Sequence, residues 1–273
     1  MKRTAIVIQA RVGSSRLPGK VLLPLAGKTL LERMVERVSS ISSHADVIVA
    51  TTTGSEDERI RSLCKRIGVR CYSGNPTDLV DRHVRAALEV RAEVVVKIPS
   101  DCPLIDPGVI DRVLSFYNCS TGEFDFVSNL HPATYPDGND VEIMPFDVLM
   151  EAWKESARPF EREHTTPFIW ERPERYRIGN VTWETGSDYS MSHRWTIDYP
   201  EDYQFIKAVY DDLWTERHPI FSLYEILDLL KSKPELASIN SKYAGVNWYR
   251  LHLNELKTVT AAQTKIIERS TLL

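Results

Sequence analysis

Arg11, Arg16 and Lys20 share one loop with two serines and two glycines, in Gln9-Ala10-Arg11-Val12-Gly13-Ser14-Ser15-Arg16-Leu17-Pro18-Gly19-Lys20, directly after the apolar run Ala5-Ile6-Val7-Ile8. Fixed positive charge, hydroxyls and backbone N–H groups that glycine leaves accessible are what a polyphosphate needs. The spacing matches neither common phosphate loop. A Walker A loop has four residues between its glycines and a serine or threonine after its lysine, whereas Gly13 and Gly19 enclose five residues and Val21 follows Lys20. A dinucleotide fingerprint opens directly into a helix, and here Pro18 delays any helix until about Thr29. The residues alone leave two readings open: a nucleoside triphosphate site of a third kind, or a solvated basic turn after a strand.

The elements that must position this loop read as a βαβ series. Ala5 to Ile8 is a strand, followed by a helix with Leu30, Leu31, Met34, Val35 and Val38 on one face. Val47 to Ala50, a helix with Ile60, Leu63, Cys64 and Ile67, Val69 to Tyr72, a helix from about Asp78 to Val90, and Val94 to Val96 come next. Continuous apolar strands joined by helices predict a mostly parallel sheet covered on both faces, with ligands at the carboxyl ends of its strands. The basic loop, Thr51 to Thr53, Tyr72 to Thr77 and Pro99 to Pro103 all fall at those ends. Asp106-Pro107 marks the start of a further helix. From Phe124 to Asp198 the pattern becomes short strands (Phe126-Val127, Val141 to Met144, Tyr176 to Val181, Trp195 to Ile197) between turn-rich segments. A helix near Pro200 and another opened by the capping box Ser222-Leu223-Tyr224-Glu225 follow. The expected organisation is one nucleotide-handling domain over 1–220, elaborated around 124–198, and a C-terminal helical extension over 221–273.

With 273 residues, 42% of them hydrophobic, and a net charge of −4, the chain has the composition of a globular protein and lacks the excess positive charge of a general nucleic-acid binder. Cys64, Cys71, Cys102 and Cys119 form no Cys-x-x-Cys pair, and the histidines show no zinc spacing. The first apolar run is too short for a signal peptide or a membrane span. A cytoplasmic protein with reduced thiols and no membrane partner is expected.

The ordered motifs are specific enough to carry a family resemblance. Ile8 to Arg11 with Ser15 to Lys20, Asp46 to Thr51, Ser100-Asp101-Cys102-Pro103, Tyr135-Pro136-Asp137-Gly138-x-Asp140-Val141-Glu142, Arg162-Glu163-His164 and Arg194 to Asp198 with Pro200-Glu201-Asp202 together resemble the sugar cytidylyltransferases, the CMP-sugar synthetases. The likeness runs from about Lys2 to Tyr210 and is greatest to the spore-coat polysaccharide branch. It implies the nucleotide-diphospho-sugar transferase fold, a Rossmann-like α/β/α sandwich with a mostly parallel sheet. It also implies that Ala10, Arg11, Ser15, Arg16 and Lys20 hold the triphosphate of CTP, with Thr51 and Asn75 toward the base and ribose, and that Asp101 and Asp198 bind Mg²⁺. Two carboxylates suit that ion, which takes one or two from protein and the rest of its shell from phosphates and water. Each aspartate also has a plain structural reading, Asp101 in a turn before Pro103 and Asp198 as cap of the helix at Pro200. Ser100 departs from the glycine many members carry there.

In the implied reaction a sugar-acid hydroxyl displaces pyrophosphate from CTP for surface-polysaccharide synthesis, and Arg11, Arg16, Lys20 and Asp101 carry the chemistry. Tyr135, Asp137, Asp140 and Glu142 would meet the acceptor, since carboxylates accept hydrogen bonds from sugar hydroxyls, although a Pro-Asp-Gly turn is also an ordinary hairpin. Glu163 and His164 would contact the acceptor or assist proton transfer, or sit in a loop without a role. A homodimer is compatible with the resemblance. Two alternatives share the fold: a sugar-1-phosphate nucleotidylyltransferase using UTP, dTTP or GTP, and a catalytically inactive nucleotide-binding scaffold.

Overall fold

The computed structural model describes residues 2–267. Strands β1 (Thr4–Gln9), β4 (Asp46–Thr52), β5 (Arg70–Gly74) and β6 (Val94–Pro99) pair in parallel, and β7 (Phe126–Ser128), β8 (Glu142–Pro145) and β9 (Ile178–Asn180) extend the sheet in the order β5-β4-β1-β6-β8-β7-β9. Strand β8 runs antiparallel to both β6 and β7, so the sheet is parallel up to the point where the turn-rich elaboration begins. A small hairpin, β2 (Pro24–Leu25) with β3 (Lys28–Thr29), follows the basic loop.

Side chains alternate across the sheet and divide the core in two. Ile6 and Ile8 of β1 and Val94, Val96 and Ile98 of β6 pack with α1 (Leu30–Ser39), α2 (Glu58–Ile67), α4 (Pro107–Cys119), α8 (Pro200–Leu213) and α9 (Leu223–Ser232). Ala5, Val7 and Val95 face the other layer, formed by α3 (Leu79–Glu89), α5 (Phe146–Glu155), α6 (Pro159–His164) and α7 (Pro167–Trp170). This is the α/β/α sandwich expected from the strand and helix periods. The expected caps form: Asp106 accepts from Gly108 N, and Ser222 and Glu225 box the start of α9; Thr29 and Glu32 make a further capping box on α1.

Two expectations change. Trp195 to Ile197 is extended but pairs with no sheet strand, because Trp195 N donates to Asp137 O (2.7 Å) and Ile197 N to Asp101 O (2.8 Å), which pins the segment between two loops. The start of α3 is capped by Asp78, whose side chain accepts from Asp81 N. Between residues 221 and 267 the chain is α-helical only through α10 (Pro234–Ser238); α9 joins the main core, and short 3-10 turns then carry the chain back across the sheet's carboxyl end. No helix among the described residues is long and apolar enough to cross a membrane.

Gly138 shows why the 135–142 segment holds its shape. Its φ is +107°, and a Cβ there would lie 2.8 Å from the Trp195 carbonyl carbon and 2.9 Å from Thr196 N. Gly138→Ala is expected to destabilise the fold by about 1–3 kcal/mol through backbone strain and displacement of Trp195. Urea melts of parent and variant measure this, and equal midpoints would contradict it.

Candidate active site

The carboxyl ends of β1 and β6, the basic loop and residues 246–252 enclose a cleft of about 560 Å³. The loop is closed on itself before any side chain is considered. Ser14 N and Gly19 N both donate to Val12 O (2.8 and 2.9 Å), and Val12 N donates to buried Asp57 (2.7 Å). Gly19 takes the left-handed conformation, φ +73°, that turns the chain into Lys20. Arg11, Ser15 and Arg16 remain exposed on the loop while Lys20 is buried.

Lys20 is where the site converges. Its ammonium donates to Asp198 Oδ1 (3.0 Å), Asp101 Oδ2 (3.2 Å) and the Ile197 carbonyl (2.6 Å). Arg16 reaches the same Asp198 oxygen at 2.7 Å, and Arg194 takes the other at 3.1 Å. Burial alone would lower the lysine's pKa, but Asp101 and Asp198 outweigh it and hold the ammonium above its usual value. Burial likewise opposes ionisation of Asp198, and Lys20, Arg16 and Arg194 overcome it and keep its pKa low. The capping reading of Asp198 fails: Asp202 accepts from both Asp198 N and Tyr199 N at 2.9 Å, leaving the Asp198 carboxylate to point into the cleft.

Asp137 and Asp140 stand beside this pair. Burial, with Asp101 next, raises Asp140 to about 6, and Arg194 meets Asp137 at 3.4 Å. Crowded carboxylates with hard oxygen donors fit a divalent cation. Among the described residues no three His, Cys, Asp or Glu side chains are grouped to hold a metal; Asp101 and Asp198 are the two carboxylates that could offer oxygen donors to an ion whose shell is completed by ligand oxygens and water.

Ala10, Arg11, Ser15, Arg16, Lys20, Asp101, Asp137, Asp140, Glu142, Glu163, His164 and Asp198 all line the cleft. Glu142 is already engaged there, with Lys97 on one oxygen and Thr166 on the other. Three expected residues lie outside the cleft wall. Tyr135 is buried against Trp183 and donates to Glu184. The Asn75 carboxamide accepts from Thr77 N and Asp78 N and shapes the entry to α3. Thr51 is buried within β4, its hydroxyl without a partner.

His164 differs from a residue titrating near neutrality. Its ring stacks on Trp248 with centroids 3.8 Å apart, and burial, reinforced by Lys97, lowers its pKa to about 3. Burial also lowers His83 to about 3 and His131 to about 4. These imidazoles stay neutral when folded, so the stability they contribute is complete above the unfolded value of about 6.5 and is lost as pH falls toward the folded values. Asp137 and Asp140, raised by burial, act in the opposite direction. His131→Phe is therefore expected to make the decline of stability between pH 6.5 and 4 shallower than the parent's by about one proton. Urea melts across that range test it, with parallel curves as the contrary result.

Several cleft residues were not singled out in advance. Arg82 is 1% exposed, lines the cleft and has Nε and Nη2 without partners. Burial, with Arg11 next, lowers it to about 10. An arginine among the apolar positions of α3 was the available signal. Gln9 Oε1 at the end of β1 is another unpartnered acceptor. Residues 246–252 had no periodicity to mark them.

A family model described as "Cytidylyltransferase" matches residues 5–233. The chain is 34% identical to an uncharacterized protein of Methanocaldococcus jannaschii over 86% of its own length and 93% of the relative's. It is 29% identical to the spore coat polysaccharide biosynthesis protein SpsF of Bacillus subtilis over 87% and 98%. Among solved structures, a cytidylyltransferase from Leptospira borgpetersenii superposes with a TM-score of 0.82 at 31% identity, covering 87% of this chain and 97% of that one.

Proposed function

The chain belongs to the cytidylyltransferase family, and on that premise we propose that this enzyme transfers CMP from CTP to a sugar-acid hydroxyl for surface-polysaccharide synthesis, with a divalent cation, Mg²⁺, at Asp101 and Asp198. The observation that carries the reading is the meeting of Asp101, Asp198 and Lys20 within 3.2 Å at the mouth of a basic loop. The relation to a spore coat polysaccharide protein supports the biosynthetic setting.

In the reaction the acceptor oxygen forms a bond to the α-phosphorus, the bond from that phosphorus to the bridging oxygen breaks, pyrophosphate leaves, and the hydroxyl proton passes to solvent. Arg11 and Arg16 grip phosphate oxygens through their planar guanidiniums, and Lys20 contributes a point charge. When bound, the cation adds charge at the phosphate oxygens where negative charge accumulates. Asp198 holds Arg16 and Lys20 in place until the triphosphate arrives. Asp137 and Asp140 accept hydrogen bonds from the acceptor. The partnerless donors of Arg82 and the partnerless oxygen of Gln9 suit a base edge that offers both acceptors and an amino group, as cytosine does.

Thermal stabilisation tests this without knowledge of the acceptor. CTP with Mg²⁺ at ~100 times its dissociation constant is expected to add about 2.7 kcal/mol, and UTP, dTTP, GTP and ATP distinctly less. Preference for another triphosphate would favour a sugar-1-phosphate nucleotidylyltransferase. Stabilisation by CTP that is indifferent to Mg²⁺ would remove the metal from Asp101 and Asp198.

A further inference from the structure

The charge inventory of the cleft is incomplete without a residue from the C-terminal segment. Lys20 is committed to Asp101 and Asp198, Arg16 to Asp198, and Lys97 to Glu142. These cations are offset by carboxylates already in place, whereas a triphosphate brings several further negative charges. Three cleft-lining cations have no carboxylate partner among the described residues: Arg11, Arg82 and Arg250. Arg250 comes from a part of the chain beyond the family match, which ends at residue 233.

The segment carrying Arg250 is tied down on both sides. Before it, Val246 O accepts from Arg194 Nη1 at 2.6 Å, Asn240 donates to Asp202, and Tyr243 stacks on Tyr199 with centroids 3.9 Å apart. After it, Glu171 accepts from Lys257 N (2.6 Å) and Thr258 N (2.9 Å), and Leu256 and Val259 are buried in the core. Arg194 also holds Asp198, so the strap is anchored to the carboxylate network beneath the basic loop. Between the anchors, Arg250 is half-buried, and among the described residues its guanidinium donates only to the Asn247 carbonyl at 2.5 Å. Burial lowers its pKa most; Arg16 and Arg194 also lower it, while Tyr199 and Asp198 act the other way.

We propose that Arg250 reaches across the cleft from the C-terminal strap to bind the β- and γ-phosphates of CTP opposite Arg16, and so stabilises the departing pyrophosphate. This rests on the cytidylyltransferase reading and adds to it a phosphate-binding residue outside the matched region. Because it holds the leaving group, Arg250 distinguishes triphosphate from monophosphate and contributes little to recognition of the base.

Calorimetric titration of the full chain with CTP, CMP and inorganic pyrophosphate, each with Mg²⁺, tests the assignment. Arg250→Gln is expected to weaken CTP and pyrophosphate by about tenfold or more and CMP by less than about threefold, with Arg250→Lys recovering part of the loss. Unchanged CTP and pyrophosphate affinity in Arg250→Gln overturns the proposal. Equal weakening of CTP and CMP also overturns it, since Arg250 would then act on the nucleoside or on the fold. If the parent protein binds no CTP, the cytidylyltransferase reading itself fails, and the pyrophosphate titration still decides Arg250: binding that Arg250→Gln abolishes supports the phosphate site, and any other result removes it.

Discussion

Lys20→Met is expected to lower kcat/KM for CTP-dependent pyrophosphate release by about 10³, with kcat falling and KM for CTP rising together. Methionine keeps the length and apolar stem of lysine, so the substitution removes mainly the ammonium. That charge stands within 3.2 Å of both Asp101 and Asp198, where in the proposed reaction it would face the triphosphate in the ground state and the leaving oxygens as the bond breaks. Asp198 retains Arg16 and Arg194 as partners, so the fold is expected to survive. The measurement pairs steady-state rates with a thermal melt. A variant that melts near the parent and keeps activity within about tenfold would show that Lys20 is a structural counter-ion only.

Asp202→Ala is expected to give the largest loss of stability, about 3–5 kcal/mol, because it breaks a buried ion pair and strips several donors at once. Asp202 is fully buried and accepts from Arg194 Nε (3.0 Å) and Nη2 (3.2 Å), from Asp198 N and Tyr199 N, and from Asn240 Nδ2 (2.9 Å). Its removal leaves the Arg194 guanidinium, buried and 3% exposed, with an uncompensated share of charge, and uncaps α8. Denaturant unfolding measures the loss. A change below about 1 kcal/mol would mean that Asp137 and Asp198 suffice to hold Arg194.

The periods and caps that define the sandwich were legible in the sequence because each is local: the continuous apolar run of β1, the amphipathic spacing of α1 and α2, Asp106 with Pro107, Ser222 with Glu225. The cleft was legible where chemistry follows a sheet strand, as in the basic loop after β1 and at Asp101 after β6. It was not legible where a contact links distant segments without a local signature. Asp202 reads in sequence as one acid in a helix's first turn, yet it organises Asp198, Arg194 and the strap. Asn75 and Tyr135 look like ligand contacts by position, but the Asn75 side-chain oxygen is taken up by a turn and the Tyr135 hydroxyl by Glu184. Trp195 to Ile197 has the composition of a strand, and two loops claim its hydrogen bonds. Arg250 has no periodicity to mark it and reaches the cleft wall only through the fold of the C-terminal strap.

The Lys20 contact joins residues 178 positions apart, and Val246 is fastened to the same network through Arg194. A chain emerging from the ribosome therefore has its basic loop long before the carboxylates and the strap that complete the cleft. Closing so large a loop is a late event in folding, after the local helices and the parallel strand pairs have formed. Nascent and partly folded chains would not compete for nucleotide with finished molecules. A ligand that fills the cleft clasps early and late parts of the chain at once, so its binding should slow opening of the whole molecule rather than quieten one loop.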